Sequence, residues 1–91
     1  MKILVLNCGS SSVKYKLLDM EQKKELASGG AEKIGMKGSI LKHKKANGEK
    51  VEFEGEMLEQ SVALEYILGV LTSEKHGAIK NLNEISAVGH R

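Results

Sequence analysis

Asn7-Cys8-Gly9-Ser10-Ser11-Ser12-Val13-Lys14 is the stretch whose reading decides the fold. The apolar run Ile3-Leu4-Val5-Leu6 leads into it, and Val13 to Leu18 leads out. Between two such runs, an amide, a glycine, three hydroxyls and a lysine read as the turn of a hairpin. The same set suits a phosphate group, which takes backbone N–H donors, hydroxyl donors and a cation. Lys2 to Leu6 reads as a strand buried on both faces. Ser12 to Asp19 reads as its partner. Val13, Tyr15 and Leu17 then share one face, and Ser12, Lys14 and Lys16 the other. If Ser10 is already extended, two hydroxyls and one ammonium stand on the same side of the hairpin mouth. Asn7, at a strand end, offers a carbonyl oxygen to hydrated Mg2+. The competing structural reading is a Ser/Gly hairpin turn with an exposed lysine. The spacing is not that of a P-loop, because the glycine-to-lysine distance and the second glycine are wrong.

Beyond the hairpin, Met20 to Lys24 reads as a turn. Glu25 to Lys33 is a weaker strand interrupted by Gly29-Gly30, glycines that suggest a bulge or a close backbone approach. Residues 34 to 38 form a loop. Ser39 to Lys45 and Glu49 to Glu54 make a second hairpin around Asn47-Gly48, a strong turn signal. Leu64, Ile67, Leu68 and Leu71 fall at the i, i+3, i+4, i+7 spacing of a helix over Leu58 to Thr72, and Val62, Tyr66 and Val70 widen its apolar surface. Gly69 costs this helix about 1 kcal/mol against alanine unless it permits close packing. Asn81 to Glu84 is a polar turn, and Ile85 to Gly89 a final strand ending on His90-Arg91. Several strands, one helix and a strand read as an α/β chain, α+β by element order.

The chain has 91 residues, 41% hydrophobic and 29% charged, with a net charge of +2. That is the profile of one soluble globular domain or part of one. Its lysines are dispersed and its aromatics few, so neither a nucleic-acid footprint nor a membrane span is expected. A single cysteine, Cys8, excludes an internal disulfide and fits a cytoplasmic setting. Cys8 reads as a small buried residue beside the turn, and His43 and His76 as surface residues. Three scattered histidines with one cysteine show no zinc spacing. Arg91, at a strand terminus, suits bidentate capture of a carboxylate or phosphate.

Four segments carry a family resemblance: Lys2 through Leu17, Ala31 through Gly35, Gly77 through Lys80, and Glu84 through Arg91. Together they resemble the acetokinase family, in register along the whole chain. The resemblance implies an N-terminal part of an actin-like, sugar-kinase and heat-shock-chaperone ATPase fold, with a mixed sheet in its core and a first hairpin turn that contacts nucleotide phosphates. It also implies reversible phosphoryl transfer from ATP to acetate, giving acetyl phosphate and ADP, with Mg2+ and a homodimeric full-length protein. Position by position, Asn7 matches the family's magnesium-site residue. Ser10 and Ser12 match phosphate-side hydroxyls, Lys14 a nucleotide-site lysine, and Arg91 an arginine that binds the acetate or acetyl-phosphate end. The family's catalytic aspartate, histidine and second arginine correspond to no residue of this chain. Residues 1–91 are therefore expected to be the first part of the first acetokinase domain, cut after Arg91, with binding groups but no catalytic residue and no activity alone. Members acting on propionate or butyrate, and a non-catalytic phosphate- or nucleotide-binding module, are the alternatives.

Overall fold

The computed structural model describes residues 1–73 and 75–90, with His90 described by its backbone alone. Six strands form one sheet: β1 (Lys2–Cys8), β2 (Val13–Asp19), β3 (Lys24–Glu32), β4 (Ile40–Lys45), β5 (Lys50–Glu54) and β6 (Ile85–His90). The helix α1 spans Gln60–Leu71, and a short 3-10 turn, Leu82–Glu84, precedes β6. The strand order is β5-β4-β3-β2-β1-β6. Every neighbouring pair is antiparallel except β1 and β6, which run parallel. The expected mixed sheet with one helix is thus what the chain forms.

The tight connections explain the antiparallel part. The Asp19 carboxylate accepts from the N–H of Glu21 and of Gln22, closing the turn into β3. Asn47 accepts from the Glu49 N–H at 2.9 Å, and Gly48 adopts φ +92, so Asn47-Gly48 makes the predicted hairpin turn. The parallel partner has to return from a distance, and the helix supplies the crossover.

Strand alternation then sorts the sheet into two faces. Leu4, Leu6, Val13, Tyr15, Leu17 and Leu41 point to one face and are buried. Against them pack Ala63, Ile67, Val70 and Leu71 of α1. Burying one such leucine or isoleucine contributes about 1.5–3 kcal/mol. On the opposite face no element packs among the described residues. Ile3 and Val5 are accordingly only half-buried, so within the described residues β1 is buried on one face and not, as its apolar run suggests, on both. A four-residue run cannot show whether a second layer is present.

Three further expectations change. His43 is not a surface residue: it alternates with Lys42 and Lys44 and is buried on the helix side, 1% exposed. The glycine pair does not interrupt β3, which runs unbroken for nine residues. Its irregularity lies opposite Leu17 and Leu18, where Leu17 pairs with Ala27 and Leu18 with Glu25. Close backbone approach is instead what Gly29 provides, since a Cβ there would overlap the Lys42 carbonyl oxygen and come 2.7 Å from the Tyr15 hydroxyl. Finally, the helix is rotated from its expected face. Leu64 and Leu68 are half-buried, Ala63 and Val70 are buried, and Tyr66 is exposed beside Gly55.

Candidate functional site

The site is built on the first hairpin. β1 and β2 pair through seven residue pairs, and the pair next to the last sets Asn7 opposite Lys14. Residues directly opposite in an antiparallel pair have Cβ atoms about 4.5–5.5 Å apart and share a face. Asn7 and Lys14 are both exposed, on the face away from α1. The stem of Lys14 runs over Gly30, its partner on β3: a Cβ at Gly30 would lie 3.4 Å from the Lys14 Cγ.

Asn7 and Lys14 line one open cavity of about 610 Å3, together with Val5, Lys16, Ser28 and the Tyr15–Gly29 strand crossing. Among the described residues no carboxylate lines it, while two lysines do. The electrostatics therefore favour an anion. Apolar Val5 and Leu18 also line it.

The turn itself is held by backbone. Gly9 donates its N–H to the Ser12 carbonyl at 2.8 Å, and the Ser11 carbonyl accepts from the Ile34 N–H at 2.9 Å. The Gln60 side-chain amide, at the start of α1, donates to the Gly9 carbonyl. These contacts use the turn's carbonyls. The N–H groups of Ser10, Ser11 and Ser12 have no hydrogen-bond partner among the described residues. A row of free N–H groups at a turn is an anion-binding concavity.

The structure brings together Asn7 and Lys14 but does not align the serines with them. β2 begins at Val13, so the alternation stops short of Ser12. Ser12 folds its hydroxyl over Gly9, where a Cβ would lie 2.9 Å from it, and Ser10 is exposed at the tip. Neither serine lines the cavity. Arg91 lies outside the described residues. β6 places His90 in register with Leu6, so both parallel strands end on the Asn7 side. Cys8 is half-buried against the core, as a small residue beside the turn.

A profile of the acetokinase family matches residues 2–91. The chain belongs to this family. It is 66% identical over its full 91 residues to an acetate kinase of Azobacteroides pseudotrichonymphae, and 59% identical to one of Bacteroides thetaiotaomicron. In both cases it spans 23% of the relative's length. The crystal structure of Porphyromonas gingivalis acetate kinase superposes with a TM-score of 0.95 at 59% identity, over 99% of this chain and 23% of that one. A propionate kinase from Francisella tularensis superposes at 0.80 with 37% identity, over 99% of this chain and 22% of that one. The acetokinase sheet and helix of this chain are thus part of the actin-like fold, as the motifs implied. No acetokinase helix described here is long and apolar enough to cross a membrane.

Two residues support the site from outside the hairpin, and sequence reasoning missed the first of them. Gln60 ties the helix start to the turn, and nothing local in the sequence signals it. Gly30 clears the path of Lys14, and the Gly29-Gly30 pair was the signal that a close approach occurs here.

Proposed function

We propose that this chain is the N-terminal part of an acetate kinase, residues 1–91 contributing to its first domain. The reaction is reversible phosphoryl transfer from ATP to acetate. The observation that carries this reading is the Asn7–Lys14 pair at an anion-favouring cavity, beside a turn with free N–H groups, in a chain of this family.

Phosphoryl transfer depends mainly on positioning and on offsetting charge. An acetate oxygen attacks the γ-phosphorus in line. The bond from that phosphorus to the bridging oxygen breaks, and its electron pair leaves on ADP. Acetate is ionised at neutral pH, so its attack needs no general base. The work of this chain is to bind. Lys14, the N–H groups of the turn and the exposed Ser10 hydroxyl receive phosphate oxygens, the Ser12 hydroxyl would join them by turning away from Gly9, and Arg91 receives the carboxylate. Among the described residues no three metal-binding side chains cluster. Asn7 fits Mg2+ as a single oxygen contact to an ion that keeps its waters and binds phosphate. Bound there, the ion would offset the negative charge of the phosphates. The full-length enzyme is read as a cytoplasmic homodimer.

The test is acetyl phosphate formation by the purified full-length protein with ATP and acetate. Turnover that falls in Lys14→Ala with a raised ATP KM supports the reading; a wild-type protein that makes no acyl phosphate overturns it. The likeness to a propionate kinase favours one second reading, a preference for propionate. One methylene is worth only about 1–3 kcal/mol of discrimination, so comparing kcat/KM for the two acids decides it.

A further inference from the structure

Within the described residues β6 is bonded to β1 alone. Ser86, Ala87 and Val88 are exposed on both of its faces, and only Ile85 packs partly against the core. Within the described residues side-chain packing therefore specifies its register weakly, and a slip of one residue turns every side chain to the other face. Yet its pairing contains a specific irregularity. Lys2 pairs with Ile85, but Ile3 pairs with Ala87, so β6 carries one extra residue at Ser86.

Directly beside this irregularity stands the best-connected carboxylate among the described residues. Glu84, the last residue of the 3-10 turn, accepts from the Lys2 ammonium at 2.7 Å through Oε1. Its Oε2 accepts from the backbone N–H groups of Lys80 and Asn81. Asn81 in turn accepts from the Asn83 N–H, completing a reciprocal cap. The Lys2 bond, then the two N–H groups, hold the Glu84 carboxyl down at about 2, and the same bond raises Lys2. One side chain therefore shapes the turn that launches β6 and fastens it to the first residue of β1.

We propose that Lys2 and Glu84 form a register clasp. The pair selects the offset of β6 on β1, and so positions the C-terminal end of β6 against the Asn7 end of β1 from the far end of both strands. The positioning half rests on the acetate kinase reading; the register half does not. Glu84 and Lys2 are positioning residues, remote from the reacting atoms.

The full-length protein is compared with Lys2→Met, Lys2→Arg, Glu84→Ala and Glu84→Gln, by backbone hydrogen exchange and by steady-state kinetics. Lys2→Met and Glu84→Ala are expected to speed exchange across residues 85–90 while residues 13–19 keep their protection. They are also expected to lower kcat/KM for acetate by about three- to tenfold, the scale of one coupled contact, with the ATP KM unchanged. Lys2→Arg restores both readouts. Glu84→Gln, which keeps an acceptor for the two N–H groups, falls between. Unchanged exchange at 85–90 in both Lys2→Met and Glu84→Ala overturns the clasp. Faster exchange with acetate and ATP parameters falling equally, or neither falling, overturns its positioning role. A wild-type protein without acetate turnover counts against the functional reading, and exchange then decides the clasp by itself.

Discussion

The Tyr15 hydroxyl lies 2.6 Å from Nδ1 of His43, across two strands and beneath the helix. His43 Nε2 lies 2.8 Å from the His76 carbonyl oxygen. A carbonyl only accepts, so Nε2 carries the proton and Nδ1 accepts from the tyrosine. The two rings stack, with centroids 6.0 Å apart. Burial pushes the Tyr15 hydroxyl above its ordinary value. This relay joins β2, β4 and the segment after α1, and both imidazole nitrogens are satisfied while the ring is neutral.

Burial first, then the nearby His76 and Lys45, hold His43 below its ordinary pKa of 6.5, and its bond to the His76 carbonyl only partly offsets this. The unfolded chain therefore takes up this proton more readily than the folded one. The contribution to stability is fully present above about 6.5 and is lost as pH falls from there through the folded value. Denaturant midpoints measured from pH 8 down to pH 5 should decline across that window in wild type. In His43→Gln the decline should flatten.

Two glycines should respond in opposite directions. At Gly69 an added Cβ meets nothing within 4 Å, so Gly69→Ala should stabilise by about 1 kcal/mol through helix propensity alone. At Gly29 the same methyl drives into the Lys42 carbonyl and the Tyr15 hydroxyl. Gly29→Ala should destabilise by about 1–3 kcal/mol, as overpacking does. Urea unfolding of both variants reads the signs.

Asn7 and Lys14 share a face but should fail differently in the full-length enzyme. Asn7→Ala should raise the Mg2+ concentration needed for half-maximal rate, and Lys14→Ala should raise the ATP KM. Titrating each against both variants separates the roles; full activity in both would leave the turn purely structural.

Arg91→Ala should reduce kcat/KM for acetate at least about tenfold, the effect of losing one charge-assisted bond. Arg91→Lys should recover little, because an ammonium lacks the planar fork. Equal damage to acetate and ATP parameters would assign Arg91 to the transferring phosphoryl group or to the fold instead.

The hairpin was legible because its signals are local. Alternation at Val13, Tyr15 and Leu17 fixes a face, and the Gly9 turn fixes the return. Asn47-Gly48 worked for the same reason. His43 was misread because Lys42, Lys44 and Lys45 around it are polar, whereas burial follows the alternation with Leu41. The serines were misplaced because where a strand begins depends on the last ladder pair, here Cys8 with Val13. Nothing short-range marks the Lys2–Glu84 contact, which joins residues 82 apart in sequence.

That span has a consequence for how the molecule assembles. The ladders from β1 to β5 each join neighbours in sequence, so they can zip up one after another while the chain is still emerging. The β1–β6 ladder pairs Lys2 with Ile85 and must wait until every residue between them has emerged. Loop-closure entropy is spent before such a non-local contact returns anything. The nascent chain therefore carries a finished first hairpin before the β6 end arrives beside it, and the edge of β1 stays open in the interval. An open strand edge is a template for any other extended segment. Among the described ladders, the one most exposed to mispairing on the ribosome is thus the one that brings β6 beside the Asn7 end of β1.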